Sequence, residues 1–323
     1  MRGRATGLLI GVLADALLGD PRHGHPVAVF GAGAARLEQA CWADSRPRGA
    51  LYAGALVGGM VLGGAVVERA ARRSAVATGA VTACATWAVL GGRSLAGEGS
   101  ALAGELADGD LGAARRRLPS LCGRDPSALD ADGLARAALE SVAENTSDAV
   151  VAPLLWGAVA GVPGLLGYRA VNTLDAMVGH LSTRYARFGW ASARADDVAN
   201  ALPARVAALL AAAAAPLVGG VPRGALTAWR RDAHRHPSPN AGPVEAAFAG
   251  ALGRRLGGRT VYPYGVQDRP TLGAGPPPRV PDLRRAVGLS RAVTVGAALL
   301  AGVVAASVHR AERASGSGPR RMN

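Results

Sequence analysis

Three acidic residues recur at every fourth position ahead of an apolar segment: Glu140, Glu144 and Asp148. On an α-helix this spacing places all three on one face. Like charges at this spacing repel each other, and a divalent cation with oxygen ligands would relieve the repulsion. We therefore predict that these acids are catalytic and bind Mg²⁺, and that Asn145 beside them binds substrate. The alternative is a solvated acidic face ahead of a membrane helix.

A second polar group follows the apolar segment and consists of Arg169, Asn172, Asp175 and Arg184. Asn172 and Asp175 lie three residues apart and can share a helix face. An acid near a membrane is costly unless it is paired or hydrated, which makes Asp175 a candidate catalytic residue. The other three are candidate substrate-binding residues. The alternative is a simple ion pair between Asp175 and one of the two arginines.

A third acidic group is the adjacent pair Asp196 and Asp197. Neighbouring residues on a helix cannot point the same way. We expect one of the two acids to cap a helix that begins near Val198. The other is expected to join a metal or phosphate site, so both are candidate substrate-binding residues.

The segment DAHRHPSPNAGPVE forms the fourth group, with His234, His236, Ser238, Asn240 and Glu245. Proline restricts the backbone of such a loop, and a rigid polar loop suits a phosphate or a carboxylate. We predict catalytic roles for the two histidines and substrate binding for Ser238 and Asn240. The alternative is an ordinary solvated turn. A zinc site is disfavoured because no cysteine lies nearby.

Composition restricts the function of the 323-residue chain. It is 50% hydrophobic and only 18% charged, and its aromatic content is 4%. Small apolar residues of this kind suit close-packed transmembrane helices. The net charge is +13, all 36 basic residues are arginine, and lysine is absent, which excludes lysine Schiff bases and the GxxxxGK[ST] phosphate loop. The arginines lie between apolar segments without interleaved aromatic residues, so no nucleic-acid partner is expected.

Apolar segments predict an all-α, polytopic membrane fold with about five to six transmembrane helices and long polar loops. The candidates are residues 5–19, 50–67, 75–92, 149–168, 198–221 and 292–308. We expect a single membrane domain over residues 1–313 and a disordered basic tail over 314–323. The first segment is expected to be retained, because Asp15 interrupts the run that a signal peptide would need.

The three longest polar segments, 20–49, 93–148 and 222–291, fall on one side if all six candidates cross, and we expect that side to be cytoplasmic. The same count places the polar residues 169–197 on the opposite side. Segments 149–168 and 198–221 contain proline or glycine breaks, so re-entrant or discontinuous helices are an alternative there.

Several of these motifs, taken in order, resemble the CobD/CbiB family of adenosylcobinamide-phosphate synthases. The resemblance rests on DALLGDPRHGHPV, ESVAENTSDAVVAPLLW, YRAVNTLDAMVGH, ARADDVANALPAR and HPSPNAGPVEAAFAGAL. It covers nearly the whole chain, with little signal in residues 50–130. AmpE-like membrane proteins share parts of the pattern.

The resemblance implies an enzyme of the cell inner membrane whose active site faces the cytoplasm. It would join the carboxylate of adenosylcobyric acid to the amine of (R)-1-amino-2-propanol phosphate or a close relative, driven by ATP. Mg²⁺ on the acidic face would neutralise phosphates. Arg169 and Arg184 would bind phosphate oxygens, and His234 or His236 would accept a proton or bind the amine substrate. Other membrane enzymes of late cobalamin assembly are expected partners.

Two other functions fit parts of the sequence. A transporter for a corrinoid or amino alcohol would use broken helices and intramembrane acids, but it predicts an internal repeat that the sequence does not show. An AmpE-like sensor would not need the acidic face.

Overall fold

The computed structural model describes residues 3–21, 24–180, 182–262 and 265–316. Helices make up most of this part of the chain. In order they are α1 Arg4–Leu18, α2 Pro26–Cys41, α3 Arg46–Ala71, α4 Ala75–Val89, α5 Gly92–Ala107, α6 Leu111–Arg117, α7 Ala131–Thr146, α8 Ala152–Leu174, α9 Trp190–Ala214, α10 Pro222–Asp232, α11 Ala241–Leu252 and α12 Val280–Gly316. Strands β1 Leu256–Tyr262 and β2 Gly265–Leu272 form an antiparallel hairpin between α11 and α12.

The structure confirms the predicted helical membrane fold, since the chain is 78% helical. Five helical stretches within the described residues are long and apolar enough to cross a membrane: Arg46–Ala71, Ala75–Ala107, Ala131–Gly179, Trp190–Val218 and Val280–Arg310. Helix α1 has only 15 residues. It is shorter than the roughly 20 residues that a bilayer requires, which explains why the first sequence candidate is not among the five.

The polar segments between the apolar stretches are more structured than the loops we predicted. Residues 93–148 contain most of α5 together with α6 and α7, and residues 222–291 contain α10, α11 and the hairpin. Helix α11 is buried along nearly its whole length because it consists mainly of alanine, glycine and other small residues. Small side chains therefore build protein-buried helices here as well as membrane-spanning ones.

The described chain divides into two compact units. Unit 1 combines residues 1–90, 152–196 and 297–323, and unit 2 combines residues 91–151 and 197–296. The predicted single membrane domain over 1–313 stays a prediction. The predicted tail, 314–323, overlaps the end of α12 at Gly316, and its remaining residues lie outside the described part of the chain.

Helix α8 in unit 1 consists of two arms that fold back on each other. Gly161 separates residues 152–160 from residues 162–174, with φ 70° and ψ −146°, a conformation that favours glycine. A Cβ atom on Gly164 would lie 2.2 Å from the Trp156 carbonyl oxygen. In a straight helix these two residues would be about 12 Å apart. Segment 149–168 therefore contains a helical hairpin, in agreement with the predicted discontinuity, whereas α9 runs through Pro203 as one helix.

The turn of this hairpin leaves backbone groups without helical partners, and two buried charges satisfy them. Arg4 donates to the carbonyl oxygens of Ala158 and Val159, at 3.5 and 3.2 Å. Glu68 accepts a hydrogen bond of 2.8 Å from the Val162 amide. Arg4 and Glu68 also contact each other at 3.2 Å. A cation thus lies at the C-terminal end of the first arm and an anion at the N-terminal end of the second, as the helix dipole favours.

Contacts within unit 1 show which helix ends lie together. Gly161 lies beside Arg4 and Glu68, near the start of α1 and the end of α3. At the opposite ends, the Trp87 indole donates to the Gly19 carbonyl, and the carbonyl of Phe188 closely approaches Gly49. The return arm of α8 therefore brings residues 175–180 and 182–189 to the same end of unit 1 as residues 19–21 and 24–49.

This arrangement predicts a sidedness that differs from a strict six-crossing count. After replacement of the native cysteines, Asp44→Cys and Thr183→Cys should react with an impermeant maleimide from the same face of the membrane. We expect that face to be cytoplasmic, and Arg73→Cys should react only from the other face. Labelling of Asp44→Cys and Thr183→Cys from opposite faces would reject the hairpin topology.

The buried pair predicts a large effect on stability. Glu68→Gln should lower the free energy of unfolding by about 3–5 kcal/mol, because it leaves Arg4 charged and buried without its carboxylate. Arg73→Gln, in the exposed turn just after the same helix, should change it by less than about 0.5 kcal/mol. Thermal and denaturant unfolding in detergent would measure both. Equal stability of the two variants would show that the pair is not needed to close the hairpin.

Candidate functional site

Helix α7 of unit 2 holds the β-hairpin through two side chains one turn apart, Arg136 and Glu140. The Glu140 carboxylate accepts a hydrogen bond of 2.7 Å from the Gly257 amide. Arg136 donates to the carbonyl oxygens of Gly257 and Arg259, at 2.9 and 3.0 Å. Gly257 has φ 83°, and a Cβ atom there would lie 2.1 Å from the Pro270 carbonyl oxygen, so this bulge requires glycine. The position of the hairpin is therefore fixed by α7.

The hairpin brings Arg269 to the acids of α7. Arg269 lies on β2 opposite Gly258, and its Nη1 atom is 4.0 Å from the Glu140 Oε2 atom. A second arginine, Arg124, donates directly to Glu140. Glu140 is only 2% exposed. Two guanidinium groups and a backbone amide thus compensate for the burial of one carboxylate.

These residues surround a cavity of about 300 Å³. Glu144 lines it together with Glu140, as expected from their spacing on one helix face, and Asn145 lies beside them. Asn145 donates to the Ser141 carbonyl at 3.0 Å. Asp148 lies one turn further along, in a π-helical turn at Ser147–Val151. The cavity therefore combines carboxylates, guanidinium groups and an amide on adjacent walls.

His236 contacts the same group from the other side. Its Nε2 atom lies 2.6 Å from the Arg269 Nη2 atom. Because a guanidinium group can only donate, Nε2 must accept, and the neutral ring carries its proton on Nδ1. Nδ1 can then donate to the Ser238 carbonyl at 3.1 Å. Burial, followed by the Arg269 charge, lowers the pKa of His236 to about 4.

Glu245 is the least satisfied member of this group. It extends from α11 and is 1% exposed, and its Oε1 atom has no hydrogen-bond partner in the described structure. The atom lies 3.6 Å from His236 Nε2 and 3.8 Å from Arg269 Nη2. Burial and the Glu140 charge raise the pKa of Glu245 well above its usual value. Burial thus disfavours the ionised form of Glu245 relative to that of an exposed glutamate.

A second cavity, of about 420 Å³, lies on the His236 side. Its polar lining is basic and comprises Arg205, Arg230, His234 and His236. Trp229 and three proline residues supply apolar wall. His234 is exposed, whereas His236 is buried apart from this opening. A lining that combines arginine side chains with apolar residues is suited to a small phosphate-bearing ligand.

Ser238 and Asn240 hold the loop in place. The Ser238 hydroxyl accepts hydrogen bonds from the amides of Asn240 and Ala241, at 3.3 and 3.1 Å, at the start of α11. Asn240 donates to the Asp197 carbonyl at 2.8 Å and accepts from Arg205 at 3.0 Å. Both side chains thus position the segment that carries His236. Asp197 takes part in this network through its backbone.

The predicted residues of unit 1 form a separate hydrogen-bonded chain. Arg169 donates to the Val89 carbonyl, the last of α4, and to the Asn172 side chain at 3.2 Å. Asn172 in turn donates to Asp196 at 3.4 Å. Arg169 therefore closes the C-terminal end of α4, a structural role that the sequence did not predict. Substrate-binding roles for Arg169, Asn172 and Asp196 stay predictions.

Arg184 pairs with Glu38, a residue outside this hydrogen-bonded chain. Arg184 is exposed, donates to Glu38 at 2.7 Å and stacks 4.6 Å from the centre of the Trp42 ring. Glu38, and not Asp175, is thus the ion-pair partner of Arg184. Asp175 begins a π-helical turn, Asp175–Gly179, where its carboxylate leaves no room for a side chain at Gly179.

The predicted magnesium site is not preformed. Among the described residues, no three His, Cys, Asp or Glu side chains lie close enough to hold a metal ion. Glu140 already accepts from Arg124 and from the Gly257 amide. Metal binding by Glu140, Glu144 and Asp148 stays a prediction, and the contacts of Glu140 favour its pairing with arginine.

Sequence reasoning missed three members of the site: Arg124, Glu245 and Arg269. Arg124 and Arg269 stand in the short contexts CGRDPS and QDRPTL, which carry no spacing signal. Glu245 was visible as part of the histidine loop but was not selected. A charged residue within an otherwise small and apolar helix, α11, was the available signal for it.

Five apolar helices long enough to cross a membrane define the class, a multi-pass helical membrane protein. The chain matches the family model described as "CobD/Cbib protein" over residues 8–290. A Mycobacterium tuberculosis protein named "Cobalamin biosynthesis protein CobD" is 61% identical over 298 residues, which cover 92% of this chain and 95% of that protein. A Chromobacterium violaceum protein of the same name is 40% identical over 312 residues, which cover 93% and 98%.

No solved structure matches the chain. The family match and these relatives nevertheless cover nearly its whole length. The chain belongs to the CobD/CbiB family, which acts in cobalamin biosynthesis.

The environment of His236 predicts a pH-dependent stability. Its pKa is about 4 when folded and about 6.5 when unfolded, so between these values the unfolded chain binds more protons. Stability should therefore fall as the pH drops from 7 to 5, by about 2 kcal/mol from this residue alone. Unfolding of wild type and His236→Gln at both pH values measures the difference.

Glu245, whose pKa is raised, works in the opposite direction and is present in both proteins. The comparison with His236→Gln therefore isolates the histidine. An equal loss of stability in the two proteins would contradict a neutral, buried His236.

Proposed function

We propose that this protein is an adenosylcobinamide-phosphate synthase. It would join the carboxylate of adenosylcobyric acid to the amine of (R)-1-amino-2-propanol phosphate, or a closely related amino-alcohol phosphate, in an ATP-dependent reaction. Family membership supports the pathway. The observation that best supports an amide-forming reaction is the pair of cavities in unit 2. The two cavities meet at the contact between His236 and Arg269.

The basic cavity is assigned to the amino-alcohol phosphate. Its volume of about 420 Å³ falls in the range of small-ligand sites. Arg205, Arg230 and His234 would bind the phosphate, and the amine would then lie toward His236. A corrinoid is many times larger than either cavity, so only the side arm that bears its carboxylate would enter the 300 Å³ cavity.

Amide formation requires that the carboxylate be activated, because a carboxylate oxygen is a poor leaving group. Phosphoryl transfer from ATP would convert it into an acyl phosphate. Arg124 and Arg269 are placed to stabilise the added negative charge. Lysine cannot contribute, since the chain has none. Mg²⁺ would accompany ATP and neutralise part of its phosphate charge.

The proposed location is the cell inner membrane, with both cavities open to the cytoplasm, where ATP is available. Enzymes that use the same large corrinoid substrates are the proposed partners in that membrane.

The proposal predicts that nucleotide is consumed in step with product. Purified protein in membranes should hydrolyse ATP only when adenosylcobyric acid is present. The product should gain the mass of the amino-alcohol phosphate less water, and hydroxylamine should trap the activated acyl group. Mass spectrometry follows both species. Corrinoid that crosses sealed vesicles without this gain in mass would favour a transporter over an enzyme.

A matched pair of variants tests the assignment of the basic cavity. Arg230→Gln removes a cavity cation from α10 and should raise KM for the amine substrate about tenfold, the cost of one charge-assisted hydrogen bond. Arg223→Gln removes an exposed arginine from the same helix and should leave KM unchanged. Equal KM values for the two variants would place the phosphate elsewhere.

A further inference from the structure

One hydrogen bond joins the walls of the two cavities. Arg269 lines the 300 Å³ cavity and His236 lines the 420 Å³ cavity. Their side chains meet at 2.6 Å, and the His236 Nε2 lone pair is directed to Arg269. In this conformation the nitrogen that could accept a proton from a ligand in the basic cavity is already engaged.

Arg269 lies closer to His236 than to Glu245 or Glu140. Its distances to Glu245 Oε1 and Glu140 Oε2 are 3.8 and 4.0 Å, beyond hydrogen-bond length. Glu245 is buried with no hydrogen bond to its Oε1 atom, and burial raises its pKa and so disfavours its ionised form. An anion in the 300 Å³ cavity would offer Arg269 charge-assisted hydrogen bonds of about 2.7–2.9 Å, which are stronger than these contacts.

We propose that Arg269 is a positioning residue that couples the two cavities. It holds the His236 lone pair while the 300 Å³ cavity lacks an anion, and it turns to the acyl carboxylate or acyl phosphate when that group enters. His236 is then released toward the amine in the basic cavity. The amine would lose its proton only when the acyl group is in place. The chemical part of this inference rests on the proposed function.

The coupled step replaces one bond at the acyl carbon with another. The amine nitrogen forms a bond to the acyl carbon, and the bond between that carbon and the phosphate oxygen breaks. Inorganic phosphate leaves with the electron pair. The ammonium group loses two protons in becoming an amide N–H, one to His236 Nε2 and the other to the departing phosphate.

The charges that face His236 come from three elements besides its own loop. Arg269 approaches from β2, Glu245 from α11 and Glu140 from α7. The Ser238 carbonyl within the loop holds Nδ1. Movement of Arg269 alone leaves the other contacts in place, so the ring keeps its orientation when Nε2 is released.

Acylation by diethyl pyrocarbonate tests the lone pair directly, because the reagent attacks an imidazole nitrogen with a free lone pair. The modified peptide is quantified by mass spectrometry at pH 7, with the exposed His234 in the same loop as internal standard. Arg269→Gln should raise the rate at His236 on the order of tenfold, the factor that corresponds to loss of one hydrogen bond to a charged group. Arg259→Gln, an exposed arginine of the same hairpin, should leave the rate unchanged.

A second measurement uses the unaltered protein and needs no turnover. Adenosylcobyric acid without ATP or amine should raise the His236 rate in wild type and should have no further effect in Arg269→Gln. Unchanged rates in Arg269→Gln at an unchanged unfolding temperature would overturn the engagement of the lone pair. A fast rate in that variant with no response of wild type to adenosylcobyric acid would overturn its release by the acyl substrate.

The proposed function is tested by a different measurement, the formation of the amide product. Product detected by mass with His236 insensitive to Arg269 would leave the synthase intact and reject the coupling. Conversely, a tenfold response to Arg269→Gln in a protein that makes no amide would reject the synthase and keep the engaged lone pair.

Discussion

The fold of unit 1 depends on one constraint: the backbone groups that lose their helical hydrogen bonds where α8 breaks must find other partners. In apolar surroundings an unpaired carbonyl or amide costs several kcal/mol, so a helix can reverse only where other groups replace its lost bonds. Arg4 and Glu68 do this from α1 and α3, on the two sides of Gly161. Without the reversal, the return arm could not bring Arg169 to the end of α4.

In unit 2, charged side chains likewise bind backbone groups and thereby position a polar site. Glu140 and Arg136 on α7 hold both backbone groups of Gly257, which fixes the hairpin, and the hairpin then presents Arg269 to His236. The position of Arg269 is thus set by a helix, α7, and not by a loop. Such preorganisation lets two arginines act on an incoming anion without first ordering a flexible segment.

Much of the architecture was accessible from the sequence, and the site was accessible only in part. The apolar segments predicted five of the spans, and the residues around Gly161 and Pro163 indicated a discontinuous helix as an alternative, because both depend on local chain properties. Helical spacing placed Glu140 and Glu144 on one wall. Arg4 and Glu68 are 64 residues apart, and Arg269 reaches its partners across a bulged hairpin. Pairings of that range leave no periodic signal, so local reasoning assigned Arg169 and Arg184 to ligands where the structure shows a helix end and an ion pair.

The absence of lysine has a consequence that composition alone did not reveal. Several arginines each serve more than one acceptor, and three examples are Arg4 with two carbonyls and a carboxylate, Arg136 with two carbonyls of the hairpin, and Arg169 with a carbonyl and an amide oxygen. A guanidinium group can do this because its five donors lie in one rigid plane, whereas an ammonium group is a compact, strongly hydrated point charge. A genome that favours arginine codons would supply the residue without regard to its role. The structure nevertheless uses the planar geometry at a helix reversal, at a strand bulge and at a helix end, so lysine at these three positions would keep the charge and lose the backbone contacts that hold each unit together.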